Sequence, residues 1–171
     1  MFSSKKDVIN VATGEIKFGQ HDQELVSLGI GSCIVVTMYD HKTKIGIMLH
    51  IMLPGKAPKY EKIKTKYAFD AICTAINIFT KRKIPINRLS ICLVGAGNVL
   101  KDKNDSICRN NIYSVKDILR SKGLQINGEV LGKTFRRTAR LELNTGNVYY
   151  SENGSAEEVL YEYEDKTEES T

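Results

Sequence analysis

No apolar run in these 171 residues approaches the ~20 needed to span a bilayer. The N-terminal stretch MFSSKKDVINVATGEI carries lysines but no apolar segment behind them, so no secretory signal is read and the cytoplasm is the expected compartment. The four cysteines, Cys33, Cys73, Cys92 and Cys108, contain no CxxC pair, and nothing else in the chain looks secreted; they read as reduced thiols. His21 and His41 have no metal-ligand spacing with each other or with a cysteine, which argues against a zinc site. The glycine-rich GIGS and VGAGN segments complete neither a dinucleotide fingerprint nor a P-loop. No internal repeat or linker divides the chain.

What is present suits one domain with a core of its own: 42% of the residues are hydrophobic and 26% charged. The net charge of +5 hides an asymmetry. Ser155 to Thr171 holds seven acidic residues and one lysine, a net of −6, which leaves +11 on the rest. A basic body steers acidic partners toward it. The runs KAPKYEKIKTKY, KRK and RRTAR interleave basic residues with tyrosine as nucleic-acid surfaces do. Solvated lysines are the commoner reading, so no nucleic-acid partner is expected.

Residues Cys33–Tyr39 and Ile45–Leu53 are rich in Ile, Val and Met and read as strands, the second stopped by Pro54-Gly55. Thr65–Lys81 reads as a helix, with Ala68, Ile72, Ala75, Ile76 and Phe79 on one face. RLSICLVGAGNVL is a buried strand running into glycines. Asn110–Lys122 is a second helix, ended by Gly123. A strand near Leu124–Val130, a basic loop GKTFRR and a hairpin turning at Asn144–Gly146 follow. Hairpins alternating with helices predict an α+β layered sandwich of packed β-sheets flanked by helices. The expected organisation is a single domain over 1–153 and an acidic tail over 154–171, mobile at its end.

Two glycines and a serine lead into Cys33 in SLGIGSCIVVTMYD. If the two strong strands are joined by a four-residue loop, Asp40 to Thr43, paired positions sum to 83 and Cys33 faces His50 on one side of the sheet. A one-residue slip would put them on opposite faces. An imidazole beside a thiol generates the thiolate, and the N–H groups of Gly29, Gly31 and Ser32 are placed to hold an oxyanion. Ser27 offers a hydroxyl to orient the imidazole. Alone, the cysteine reads as a packing residue and the histidine as a satisfied core group. Their coincidence beside G-x-G puts catalysis and packing on equal footing. Cys73 and Cys92 read as packing residues, and Cys108, with no histidine nearby in sequence, is placed toward the surface.

These residues resemble the CheD family of chemoreceptor glutamine deamidases. LGIGSCIVVTMYD…IGIMLHIMLP looks like the family's signature, and KYAFDAI, VGAGNV and LNTGNVYY extend the likeness over about residues 8 to 150. The resemblance implies a cysteine hydrolase without cofactor or metal, converting receptor glutamines to glutamate. Cys33 matches its nucleophile and His50 its base, with Ser27 in place of the usual orienting threonine. Asn98, Asn111 and Arg136 match positions expected to contact substrate or partner. Its implied partners are the helical cytoplasmic domain of a chemoreceptor and a CheC-type phosphatase, with the chain monomeric on its own. Methyl ester hydrolysis is open to the same machinery. The alternative is a regulatory protein that binds such a phosphatase and deamidates little. Departures fall outside the proposed triad: Gly95-Ala96-Gly97 replaces a common Gly-Gly-Ala order, Asn110 a frequent arginine, and Leu131 and Phe135 common glycines.

Overall fold

A computed structural model describes residues 5–164. It contains strands β1 (Asp7–Asn10), β2 (Ile16–Gln20), β3 (Gln23–Ile30), β4 (Ile34–Asp40) and β5 (Ile45–Ile51), then helix α1 (Ala68–Lys81). Strand β6 (Ser90–Gly95), helix α2 (Ile107–Ser121) and strands β7 (Gly128–Leu131), β8 (Arg137–Glu142), β9 (Val148–Glu152) and β10 (Glu158–Tyr161) complete it. One sheet has the order β1-β3-β8-β9-β10 and the other β2-β5-β4-β6-β7. The expected layered α+β sandwich is what forms.

Why three layers arise is written in β4. All seven of its residues are buried, so it lacks the apolar–polar alternation of a one-sided strand. Ile34, Val36 and Met38 pack toward Ala68, Ala71, Ile72, Ala75 and Phe79 of α1 and Val115 and Leu119 of α2. Val35 and Tyr39 point the other way, toward Leu25, Leu141 and Val148 of the opposite sheet. The central sheet is therefore covered by helices on one face and by the second sheet on the other. Three alanines on the buried stripe of α1 let that helix approach the sheet closely.

Several boundaries differ from expectation for local reasons. One 3₁₀ turn over Lys64–Lys66 precedes α1, which begins at Ala68. Helix α2 starts three residues early, because the Asp105 carboxylate accepts the Ile107 N–H at 2.8 Å and stabilises the helix end there. The acidic tail is not wholly apart from the fold. Glu158–Tyr161 pairs antiparallel with β9, and Leu160 and Tyr161 pack against the core between the sheets. Three consecutive apolar or aromatic residues, Val159 to Tyr161, supply a strand amid the glutamates. The tail's end lies outside the described residues.

The hairpin register needs correction. Asp40 pairs with Ile45 and Val35 with His50, so paired positions sum to 85, not 83. The loop still has four residues but is His41–Lys44, one place along the chain. Cys33 is thus a diagonal neighbour of His50 rather than its direct partner. A slide of the loop by one residue changes the sum by two, and an even change leaves every side chain on its expected face.

Candidate active site

The chain passes between the two sheets at residues 11–15 and again at Gly31-Ser32-Cys33, and these crossings meet at one end of the sandwich. Crossing segments are bends whose backbone is not consumed by a ladder; the β4 ladder begins only at Ile34. Cys33, half-buried just before it, packs with the residues between the sheets. His50 lies on the adjacent strand on the same face and is 3% exposed. Diagonal neighbours in an antiparallel pair stand roughly 7–8 Å apart at Cα, within reach of a thiol and an imidazole.

Ser27 comes from the other sheet. Its hydroxyl donates to the Val11 carbonyl at 2.6 Å, so its oxygen is left to accept from His50 Nδ1, 2.8 Å away. Nδ1 also lies 3.2 Å from the same Val11 carbonyl, which has no proton to give. Both neighbours therefore place the imidazole proton on Nδ1 and the lone pair on Nε2. Nε2 is buried and has no hydrogen-bond partner among the described residues. This is the tautomer a general base requires. Burial pushes the His50 imidazole below its ordinary value, with the Val11 carbonyl opposing. Burial likewise pushes the Cys33 thiol up, opposed by a hydrogen bond to the Thr13 side chain. Both directions favour the uncharged forms of the thiol and the imidazole at neutral pH.

The bend bearing Cys33 is held from several sides. The Ala96 N–H donates to the Cys33 carbonyl at 2.6 Å and the Gly97 N–H to the Gly31 carbonyl at 2.9 Å. A side chain at Gly95 would strike the Cys33 carbonyl, 2.6 Å from the Cβ position, so the strand end can approach this closely only as glycine. Asn111 Nδ2 donates to the Ser32 carbonyl at 3.0 Å and the Met52 carbonyl at 3.1 Å. One side chain thus ties the start of β4 to the end of β5. Asn111 is fully buried, which corrects its expected place at a substrate or partner surface.

A cleft of about 400 Å³ opens on the thiol, lined by Gly31, Ser32, Cys33, Asn98, Leu100 and Arg136 among others. Arg136 is exposed there and donates to the Gly29 carbonyl at 3.2 Å. Asn98 spends both ends of its amide on its own loop, Nδ2 donating to the Asp102 carbonyl and Oδ1 accepting the Asp102 N–H. Gly29 is set back within β3, at the bulge between Ser27 and Ile30, while Gly31 and Ser32 border the cleft. Cys108 is 5% exposed, contrary to its expected surface position, and its thiol donates to Asp105. Among the described residues no three His, Cys, Asp or Glu side chains converge as a metal site requires.

One supporting residue escaped the sequence. Arg137, not its neighbour Arg136, is buried, and its Nη1 donates to the Gly95 and Gly132 carbonyls behind the cleft. Its signal was the period-two pattern of β8, which puts Arg137 inward with Ala139 and Leu141.

The family model "CheD chemotactic sensory transduction" matches residues 52–152, beginning just past His50. The probable chemoreceptor glutamine deamidase CheD of Chlorobium luteolum is 34% identical over 152 residues, 88% of this chain and 76% of its own. The chemoreceptor glutamine deamidase CheD of Thermotoga maritima is 30% identical over 90% of this chain and 96% of its own. A probable chemoreceptor glutamine deamidase CheD of Methanococcus maripaludis is 32% identical over 82% of this chain and 92% of its own. An alignment as long as the first two must run through Ser27, Cys33 and His50.

Proposed function

Because the chain belongs to the CheD family, we propose that it is a chemoreceptor glutamine deamidase in which Cys33 is the nucleophile and His50 its base. The observation that carries the reading is the fixed tautomer of His50: Ser27 and Val11 hold its proton on Nδ1 and leave Nε2 free beside the strand bearing Cys33. A histidine kept only for packing has no need of an unpartnered buried nitrogen, which is costly in itself.

The reaction follows from these positions. His50 Nε2 takes the thiol proton as Sγ attacks the Cδ of a receptor glutamine. The oxyanion is received by the N–H groups at Ser32 and Cys33, on the bend ahead of the β4 ladder. The imidazolium then returns its proton to the amide nitrogen, the C–N bond breaks and ammonia leaves a thioester. Water, deprotonated by the same Nε2, attacks that thioester; the C–S bond breaks and the thiol regains its proton. One water is consumed, and glutamine becomes glutamate plus ammonia. No step calls on a cofactor or metal. Starting from two neutral groups, the thiolate forms only as it attacks.

The substrate is the helical cytoplasmic domain of a chemoreceptor, whose acidic surface suits the basic body of this chain. Arg136, exposed at the cleft rim, is the cation proposed to meet it. The protein works in the cytoplasm as a monomer, and a CheC-type phosphatase is its regulatory partner. Residues 1–153 make up the catalytic unit, with β10 of the acidic tail docked on its edge.

The test is ammonia release, with the matching gain of one dalton, from a purified receptor cytoplasmic fragment. Wild type is expected to deamidate it and Cys33→Ala to be inert. Turnover by Cys33→Ala overturns the nucleophile assignment. Tight binding of a CheC-type phosphatase with no ammonia from either protein replaces the reading with a purely regulatory one.

A further inference from the structure

Between β5 and α1 the chain runs through positions 52–67 with no regular element beyond the 3₁₀ turn at Lys64–Lys66 and a single bridge of Leu53 to Tyr67. A connection of this length is uncommon in a compact domain unless it has a function. This one is also firmly held. The Gly55 N–H donates to Ser114 Oγ of α2 at 2.8 Å, and the Ala57 N–H to the Asp70 carboxylate of α1 at 2.7 Å. The Met52 and Leu53 N–H groups both donate to the Lys66 carbonyl at 2.9 Å, which closes the loop at its base. Thr65 Oγ1 donates to the Gly14 carbonyl at 2.7 Å, and the Gly14 N–H donates to the His50 carbonyl at 2.7 Å. The base of the loop thus rests on the crossing that touches His50, at the end of the sandwich that carries the site.

What this rigid loop displays is charge with apolar residues set among it. It holds five lysines, Lys56, Lys59, Lys62, Lys64 and Lys66, against one glutamate, a net of +4. That glutamate is spent within the loop: Glu61 accepts the Ile63 N–H at 2.9 Å and lies 3.7 Å from Lys66. Lys56, Lys59, Lys62 and Lys64 are exposed. No carboxylate among the described residues lies within ion-pair distance of these four. Between them Tyr60 is 87% exposed and Ile63 51%. An exposed tyrosine ringed by polar groups is the kind of anchor on which protein interfaces concentrate their energy.

We propose that this loop is the dock for the protein substrate. Its lysines meet an acidic surface segment of that protein, and Tyr60 and Ile63 pack on the apolar side chains of the same segment. The proposal rests on the chain being a deamidase of protein glutamine and adds where that protein is gripped. The cleft on the thiol, at about 400 Å³, is near the small end of ligand sites. It holds a side chain, not a protein surface, so affinity for a whole protein has to come from outside it. Contacts remote from the reacting bond bind ground state and transition state alike, and therefore act on KM rather than kcat. A protein fits the loop better than a nucleic acid does: the loop has no arginine, and the aliphatic Ile63 has no use against phosphates.

The test is steady-state ammonia release from the receptor cytoplasmic fragment by two variants beside wild type. One carries Lys56→Gln, Lys59→Gln, Lys62→Gln and Lys64→Gln together, and the other is Tyr60→Ala. All five side chains are exposed, and thermal melts check that the fold is kept. Each variant is expected to raise KM for the fragment about tenfold with kcat unchanged. Added NaCl is expected to raise the wild-type KM steeply and that of the lysine variant little. Alkylation of Cys33 by iodoacetamide, which needs no dock, is expected to run at the same rate in all three. An unchanged KM in either variant overturns the proposal. A fall in kcat with slowed alkylation also overturns it, because the loop then acts on the site itself. Binding of wild type to duplex DNA or phosphatidylserine vesicles in preference to the fragment, lost in the lysine variant, overturns it in favour of those partners. Fragment binding that the lysine variant weakens, with no ammonia from wild type, supports the dock and defeats only the deamidase reading.

Discussion

Ser27 Oγ lies 2.8 Å from His50 Nδ1 across the gap between the two sheets, while its own proton goes to the Val11 carbonyl at 2.6 Å. The hydroxyl therefore acts as an acceptor for the imidazole, and its orientation is set by backbone. An orienting group of this kind fixes both ring angle and tautomer without adding a buried charge.

Removing that hydroxyl loosens His50 without abolishing its chemistry, because the Val11 carbonyl still lies 3.2 Å from Nδ1. Ser27→Ala is expected to lower kcat roughly tenfold, the loss of about one hydrogen bond, with KM little changed. Ser27→Thr keeps the hydroxyl and adds the branch that restricts χ1; it is expected to retain wild-type turnover or exceed it. Steady-state ammonia release from the receptor fragment reads both.

The pH response carries two signatures. The His50 imidazole is depressed by burial, so the base stays neutral and active below the ordinary histidine value of about 6.5. The acid limb of the activity profile is expected at a lower pH than that. Stability follows the same sign: the unfolded chain takes up a proton at about 6.5 while the native state resists it. The contribution is complete above that pH and is lost as the pH falls through the folded-state value. Urea titrations from pH 7.5 downward check this, with His50→Gln expected to flatten the decline. The Cys33 thiol is raised by burial, so its alkylation by iodoacetamide is expected to climb above the ordinary thiol value of ~8.5.

Asn111 joins the two strand ends that carry the nucleophile and the base. Asn111→Ala removes both hydrogen bonds and empties the space of a fully buried side chain, and is expected to cost about 2 kcal/mol of stability, together with a fall in kcat as the strand ends part. Asn111→Asp removes the donor and places a carboxylate against two carbonyl oxygens, so it is expected to be worse on both counts. Thermal melts and ammonia release on the same samples separate the two effects.

At the opposite end of β4, Arg88 Nε and an Nη donate to the buried Asp40 carboxylate at 2.6 and 2.9 Å. Burial pushes the Asp40 carboxyl up, but the bonds from Arg88 and Thr43 outweigh it and hold it below the usual carboxylate range. Arg88→Ala leaves a buried charge with only Thr43 and is expected to cost about 3 kcal/mol. The site lies roughly 20 Å away along the strand. Activity per folded molecule is therefore expected to be unchanged, which distinguishes this substitution from Asn111→Ala.

Much of this protein was set by sequence alone. The apolar runs of β4 and β5, the alanine-lined stripe of α1 and the turn signals between them dictate elements whose faces must be buried, and three layers follow. Cys33 and His50 share a face in either register, because the hairpin loop slid by one place and shifted the pairing by an even number. Tertiary structure decided what no local pattern encodes. It chose the diagonal pairing, brought Ser27 across from the other sheet, and made the Val11 carbonyl the anchor of the imidazole, a backbone role that side-chain identity does not record. It also buried Asn111 and Arg137 as supports. Residues near in sequence are constrained by chain geometry, whereas these contacts join segments that cross between sheets. Their positions are fixed only when both cores close.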